Sequence, residues 1–292
     1  FAQPLRQLGD LYNQVQSALA GAERIFEILD TEPDLTDADD AIELSDVKGD
    51  VTFEHVNFAY VEGVPVLKDV SLKAKSGQTV ALVGPTGAGK TTIVNLLTRF
   101  YDLDSGAITI DGTDIRQVSR DSLRSSLGIV LQQSFLFAES VAENIRYGRL
   151  DATDEEIVQA AKLANADRFI RRLPKGYDTV LSERGANLSE GQRQLLAIAR
   201  AVLADSHILV LDEATSSVDT RTEVHIQEAL HELMKGRTSF VIAHRLSTIR
   251  GADQVVVIEG GQIVEGGTHE QLMEKRGVYW RLYMSQFRGR AK

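Results

Sequence analysis

The stretch GPTGAGKTT, Gly84 to Thr92, constrains the fold more than any other part of the 292-residue chain. It stands directly after TVALV, an apolar run suited to a strand buried on both faces of a parallel sheet. A helical run follows it. A glycine-rich turn between a buried strand and a helix presents successive backbone N–H groups at a helix N-terminus, and such a turn attracts phosphate. Gly84, Gly87 and Gly89, with Pro85, Thr86 and Ala88 between them, fill the fixed positions of a phosphate-binding loop. Gly87 and Gly89 permit close backbone approach. Lys90 reaches β- and γ-phosphates in such a loop, the Thr91 hydroxyl can ligate Mg²⁺, and Thr92 completes the nucleotide-binding set at the helix start. The plainer reading is a glycine-rich turn that only starts a helix.

A second constellation is HILVLDE, His207 to Glu213, a buried strand that ends in two carboxylates. Asp212 can hold Mg²⁺ through water, and Glu213 can polarise an attacking water. Two adjacent acids at a strand end can equally cap the next helix. The phosphate loop favours the chemical reading.

From Val51 onward the runs VTFEHVNF, VLKDVSL and AITIDG read as short strands with turn residues between them. LGIVLQ and TSFVIAH resemble TVALV in being apolar on both faces. Helical patterns separate several of these strands, which makes the architecture α/β. Between Ser134 and Leu203 the strands stop and DEEIVQAAKLANADRFIRRL marks a helical insert. The C-terminal THEQLMEKRGVYWRLYMSQF opens with a capping box at Thr268 and Gln271 and reads as helical.

Ahead of this domain, residues 1–29 place Leu5, Leu8, Tyr12, Val15, Leu19, Ala22, Phe26 and Leu29 at helical spacing. This is either an amphipathic helix on its own domain or the tail of a helix from a preceding one. The chain starts at Phe1 without methionine, which favours the second and fits a fragment of something longer. Residues 30–50 hold nine acids and one base, supplying −8 of the formal −10, and read as a solvated linker. Their spacing follows no metal-ligand pattern. No basic tract exists, which argues against nucleic acid as a partner. There is no cysteine, so disulfides and thiolate metal sites are excluded. No run of 18 apolar residues is present.

In NLSEGQRQ, Asn187 to Gln194, Ser189 and Gln192 form a capping box at a helix start. Gly191 in that first turn costs about 1 kcal/mol relative to alanine. Either the helix tolerates a poor residue or its end has a second use.

The order of GPTGAGKTT, NLSEGQRQ and HILVLDE resembles the nucleotide-binding domain of an ATP-binding cassette (ABC) exporter of the multidrug or lipid type, over about residues 51–287. NLSEGQRQ stands where that family has its signature, usually LSGGQ. The resemblance implies a P-loop NTPase core of RecA-like type with an N-terminal antiparallel β-subdomain and an inserted helical subdomain at 134–203. It makes 1–30 the end of the last membrane-domain helix, 31–50 a linker and 288–292 a tail. It implies ATP and Mg²⁺ as cofactors, with Tyr60 stacking on adenine and Gln132 reaching Mg²⁺. His244 would contact the γ-phosphate, and Ser216 to Asp219 would link two sites across a dimer. Tyr60 and His244 also have plain structural readings. Ser182 to Gly185 resembles the exporter loop that touches the membrane domain, and Ala22 to Asp30 resembles the exit from its last helix.

Two such domains sandwich two ATPs in this family, each ATP on one chain's P-loop and under the other's signature. Ser189, Gly191 and Gln192 would then act on a partner's nucleotide, and glycine at 191 would have a reason. Glu190 departs from the usual glycine and puts in doubt how well this signature serves the nucleotide it covers. The intact Lys90, Glu213 and His244 beside an altered signature favour a non-identical partner over a second copy. The implied function is ATP hydrolysis that drives export through a transmembrane domain, at the cytoplasmic face of a membrane. The alternatives are a cytosolic ABC ATPase without transport, or a regulatory module that binds nucleotide without hydrolysing it.

Overall fold

Helix α1 (Ala2–Leu29) forms most of a first unit, 1–36, and a second unit begins at residue 37. The computed structural model describes residues 2–32, 35–131, 135–212, 219–243 and 245–286. Within its own unit α1 buries no residue, and Leu5, Leu8, Tyr12, Leu19 and Phe26 are all exposed. No helix among the described residues is long and apolar enough to cross a membrane.

The second unit opens with β1 (Val51–Phe58) and β2 (Leu67–Ala74), an antiparallel pair. β3 (Thr79–Val83) leads through the glycine-rich loop into α2 (Lys90–Leu97). β4 (Ser105–Ile110) and β5 (Thr113–Asp114) complete an antiparallel sheet in the order β2-β1-β4-β5. Helix α3 (Arg120–Ser125) and β6 (Leu127–Val130) follow. Then come α4 (Val141–Arg146), α5 (Asp154–Leu163), α6 (Asp167–Ile170) and α7 (Glu190–Ala204), with no named strand among them. The chain continues through β7 (Ile208–Asp212), α8 (Thr220–Met234), β8 (Thr238–Ile242), α9 (Leu246–Gly251), β9 (Gln254–Glu259) and β10 (Gln262–Gly267). It ends in α10 (His269–Lys275) and α11 (Val278–Gln286). The second sheet has the order β10-β9-β3-β8-β7-β6, parallel from β9 to β6 with β10 antiparallel at its edge.

The apolar central strands serve two cores at once. Val80, Leu82, Val210, Phe240, Ile242, Val256 and Ile258 face the core shared with α2 and the antiparallel sheet. Their neighbours Ala81, Val83, Leu209, Leu211, Val241, Val255 and Val257 face the core shared with α7, α8 and the helical insert. The two-residue side-chain period of a strand forces this division, so each strand must be apolar throughout. Each fully buried aliphatic side chain contributes roughly 1.5–3 kcal/mol.

Three sequence expectations need adjustment. The acidic stretch is not a solvated linker from Asp37 onward. Asp37 accepts from the Arg120 guanidinium at 3.0 Å, and Ile42 forms a bridge with Val118. The Asp111 carboxylate takes the amides of Lys48 at 2.8 Å and Asp50 at 2.9 Å. Burial pushes the Asp37 carboxyl up, but the Arg120 backbone and guanidinium bonds outweigh it and hold it below the ordinary value. An acid-rich segment stays ordered here because its carboxylates and backbone find fixed donors.

The C-terminal helical run is two helices. Arg276 adopts a left-handed conformation, and a side chain at Gly277 would lie 1.8 Å from Glu265 Oε1. That buried carboxylate accepts the Val278 and Tyr279 amides and caps α11. Finally, β9 and β10 are absent from the sequence reading. Their signal is present in QVVVIE followed by a Gly-Gly turn and QIVEGG.

Candidate functional site

The C-terminal ends of β3, β7 and β8 lie side by side, with Leu82 and Asp212 both in register with Ile242. Ligands of open parallel sheets bind at this edge. The turn out of β3 is held tight by two close approaches. A Cβ at Gly84 would come within 2.1 Å of the Ile258 carbonyl, and one at Gly89 within 2.6 Å of Leu67 Cδ2. Gly89 also has φ 105°, where a side chain is strained.

Gly89 is the residue that caps α2, and it supplies no side-chain bond. The first-turn amides of that helix, Lys90 to Thr92, therefore meet no capping side chain and are suited to an anion. Lys90 is buried and braces the loop, its Nζ donating to Gly84 O at 2.8 Å and Pro85 O at 2.9 Å. An ammonium has three donors, so one remains for the cavity. Burial holds the Lys90 ammonium below the ordinary lysine range, while Asp212 pulls it the other way. An arriving phosphate would add to that pull.

A cavity of about 480 Å³ gathers Tyr60, Thr86, Gly87, Gly89, Lys90, Thr91, Thr92 and Asp212, with Val66 and Ile242 as apolar walls. Thr91 and Asp212 offer the hard oxygen donors that Mg²⁺ prefers. Gly84, Pro85 and Ala88 shape the loop without lining the cavity: Ala88 is buried, and its amide returns to Pro85 O at 3.2 Å. Gln132, Glu213, His244 and Ser216 lie outside the described residues. Among the described residues, no group of three or more His, Asp or Glu forms a metal cluster.

The ABC transporter family model matches residues 67–216, which span this loop, the Ser189 stretch and Asp212. The chain belongs to the ABC transporter family.

Relatives support the transporter reading over a cytosolic ATPase. The chain is 57% identical over 282 residues to a fatty acid ABC transporter ATP-binding/permease protein of Mycobacterium bovis, covering 97% of this chain and 44% of that protein. It is 51% identical over 286 residues to an ATP-dependent lipid A-core flippase of Syntrophus aciditrophicus, covering 98% and 47%. A bacterial Atm1-family ABC exporter solved with ATP bound superimposes with a TM-score of 0.87 at 42% identity, covering 98% of this chain and 50% of that one. The chain thus spans about half the length of the relatives it matches.

The residues that resemble the ABC signature lie elsewhere in this chain. Ser189 and Gln192 line a different cavity of about 560 Å³, with Arg168, Arg172 and His225. The capping box is real: Ser189 Oγ accepts from the Gln192 amide at 3.3 Å, and Gln192 Oε1 accepts from the Ser189 amide at 3.0 Å. That cap leaves unused two first-turn amides, of Glu190 and Gly191. The Ser189 hydroxyl keeps its own proton to donate. Gly191 is buried. Glu190 is half-buried in the first turn, where its charge favours the helix dipole. Asp219 caps α8, accepting from the Thr222 amide at 3.0 Å.

Around Tyr60 the fold supplies what the sequence did not foresee. Phe58 and Tyr101 meet the Tyr60 ring edge-to-face, with centroids 4.8 and 5.0 Å away. The Asn95 amide donates to the Tyr60 hydroxyl at 3.1 Å. Tyr101 is 41 positions from Tyr60, and no local pattern flags it.

Proposed function

We infer that this chain binds Mg-ATP and hydrolyses it in concert with a second nucleotide-binding domain, to drive export through a transmembrane domain. The observation that carries the reading is that the P-loop cavity holds the phosphate loop, Tyr60 and Asp212 but none of the signature. A donor set aimed at the γ-phosphate would then come from another chain.

In this reading Lys90 and the first-turn amides of α2 bind the phosphates, and Tyr60 stacks on adenine. Thr91, Asp212 and Gln132 hold Mg²⁺, which would neutralise phosphate charge. Glu213 takes a proton from the attacking water, and His244 contacts the γ-phosphate. Ser189, Gly191 and Gln192 act on the partner's nucleotide. Helix α1, through residue 30, continues from the membrane domain, and the tail is 288–292. The insert 134–203, with Ser182 to Gly185, touches that domain at the cytoplasmic face of the membrane. The relatives' names favour a lipid-like cargo.

The expected result is that turnover per chain rises with protein concentration, measured by phosphate release alongside sedimentation. A demonstrated monomer working at full, concentration-independent rate would overturn the shared site.

The partner is a different chain whose signature carries glycine where this one has Glu190. A carboxylate close to a polyphosphate weakens anion stabilisation at the site it covers. In the full transporter, Glu190→Gly should raise turnover of a self-paired dimer strongly. Normal turnover before the substitution and none gained after it would leave Glu190 as a helix-start residue and the partner as a second copy.

A further inference from the structure

The Tyr60 hydroxyl sits between two residues of the P-loop helix. Asn95 Nδ2 donates to it at 3.1 Å, and it donates to Thr92 Oγ1 at 3.3 Å. The amide donor fixes the direction of the first bond, and in the second the phenol donates to the threonine. An amide N–H only donates. The phenol that accepts it keeps its own proton, and the threonine that accepts that proton keeps another. Thr92 lines the phosphate cavity, so the last proton of this chain is available to an oxygen placed there. Phe58 and Tyr101 pack against the ring with their planes at 87° and 85° to it. The platform for the base is thus fixed by its hydroxyl as well as by its ring.

We propose that Asn95 is a positioning residue for nucleotide binding, coupling the stacking ring of Tyr60 to the hydroxyl of Thr92 that meets the phosphates. The proposal rests on the reading of Tyr60 as the adenine platform. Bonds in a chain of this kind polarise one another, so a phosphate that draws on Thr92 strengthens the two bonds behind it. The Tyr60–Thr92 distance is longer than the usual hydroxyl–hydroxyl bond. Contacts of this kind tighten when the ligand arrives. Asn95 itself touches no ligand in this scheme. Its effect on affinity passes through Tyr60, and it vanishes when the Tyr60 hydroxyl is gone.

The test is a double-mutant cycle on Mg-ATP affinity by titration calorimetry. Asn95→Leu and Tyr60→Phe should each weaken binding about 3- to 10-fold, as expected for one net hydrogen bond. The double variant should bind no more weakly than Tyr60→Phe alone. Inorganic triphosphate, which has no base to stack, should lose only the part of the effect that passes through Thr92, so its affinity should fall less than that of Mg-ATP. Asn95→Asp keeps the side-chain shape and loses the donor, so it should repeat the loss even if Asn95→Leu lowers the melting temperature. Wild-type affinity in Asn95→Asp, or losses that multiply in the double variant, would overturn the coupling. Tyr60→Ala separates the two layers, with an expected loss of roughly 5- to 150-fold from base stacking. If Tyr60→Ala binds Mg-ATP normally, the adenine platform itself is wrong. If it binds poorly while the Asn95 variants bind normally, only the positioning role fails.

Discussion

Glu213→Gln should keep Mg-ATP affinity and lose hydrolysis by roughly 10²–10⁴-fold, the contribution of a well-placed general base. The amide matches the carboxylate in shape and cannot take a proton from water. Because bound ATP then persists, association into dimers should become visible by sedimentation. The variant isolates Glu213 from Asp212, the last residue of β7 and part of the cavity wall. Unchanged turnover would remove Glu213 from the chemistry and leave the strand-end acids as a helix cap.

Lys90→Ala should abolish tight binding rather than turnover alone. The substitution removes a charge that would face the phosphates and two bonds that hold the loop, at Gly84 O and Pro85 O. Bonds from a charged group are worth about 1.5–3 kcal/mol each. Loss of one such bond to phosphate, with a loosened loop, predicts a fall in Mg-ATP affinity of about 100-fold or more. Adenosine, which lacks phosphates, should bind the variant as it binds the wild type. Equal losses for ATP and adenosine, read by calorimetry, would mean that this loop is not the phosphate site.

The parts of the site that could be read from sequence are those whose geometry is local. Gly84 to Thr92 shows itself in its own residues: Gly87 and Gly89 take positive φ and the helix follows at once, although the close approaches of Gly84 and Gly89, to Ile258 and Leu67, are made across the fold. The Ser189–Gln192 cap is equally local, since its partners are three residues apart. The apolar character of β3, β7 and β8 announced a sheet covered on both faces. What could not be read depends on distant partners. The Asn95 bond to Tyr60 spans 35 positions, and the Asp37 pairing with Arg120 spans 83. A run of acids looks solvated until the fold places Arg120 and the Asp111 carboxylate beside it. The same limit applies between chains. The signature reads as a nucleotide contact by resemblance, whereas within one chain it lines a cavity of its own.

The strap from Asp37 to Asp50 decides where the domain can be cut. Sequence pattern suggests starting an expressed fragment at Val51, where the first strand begins. Such a fragment would strip Arg99 and Arg120 of Asp37, and Arg99 is only 4% exposed. It would also leave the Asp111 carboxylate without the amides of Lys48, Gly49 and Asp50. Thr238 in β8 would lose the Gly49 carbonyl to which its hydroxyl donates at 2.7 Å. A soluble, well-folded version of this domain should therefore begin upstream of Asp37, fourteen residues before the first strand.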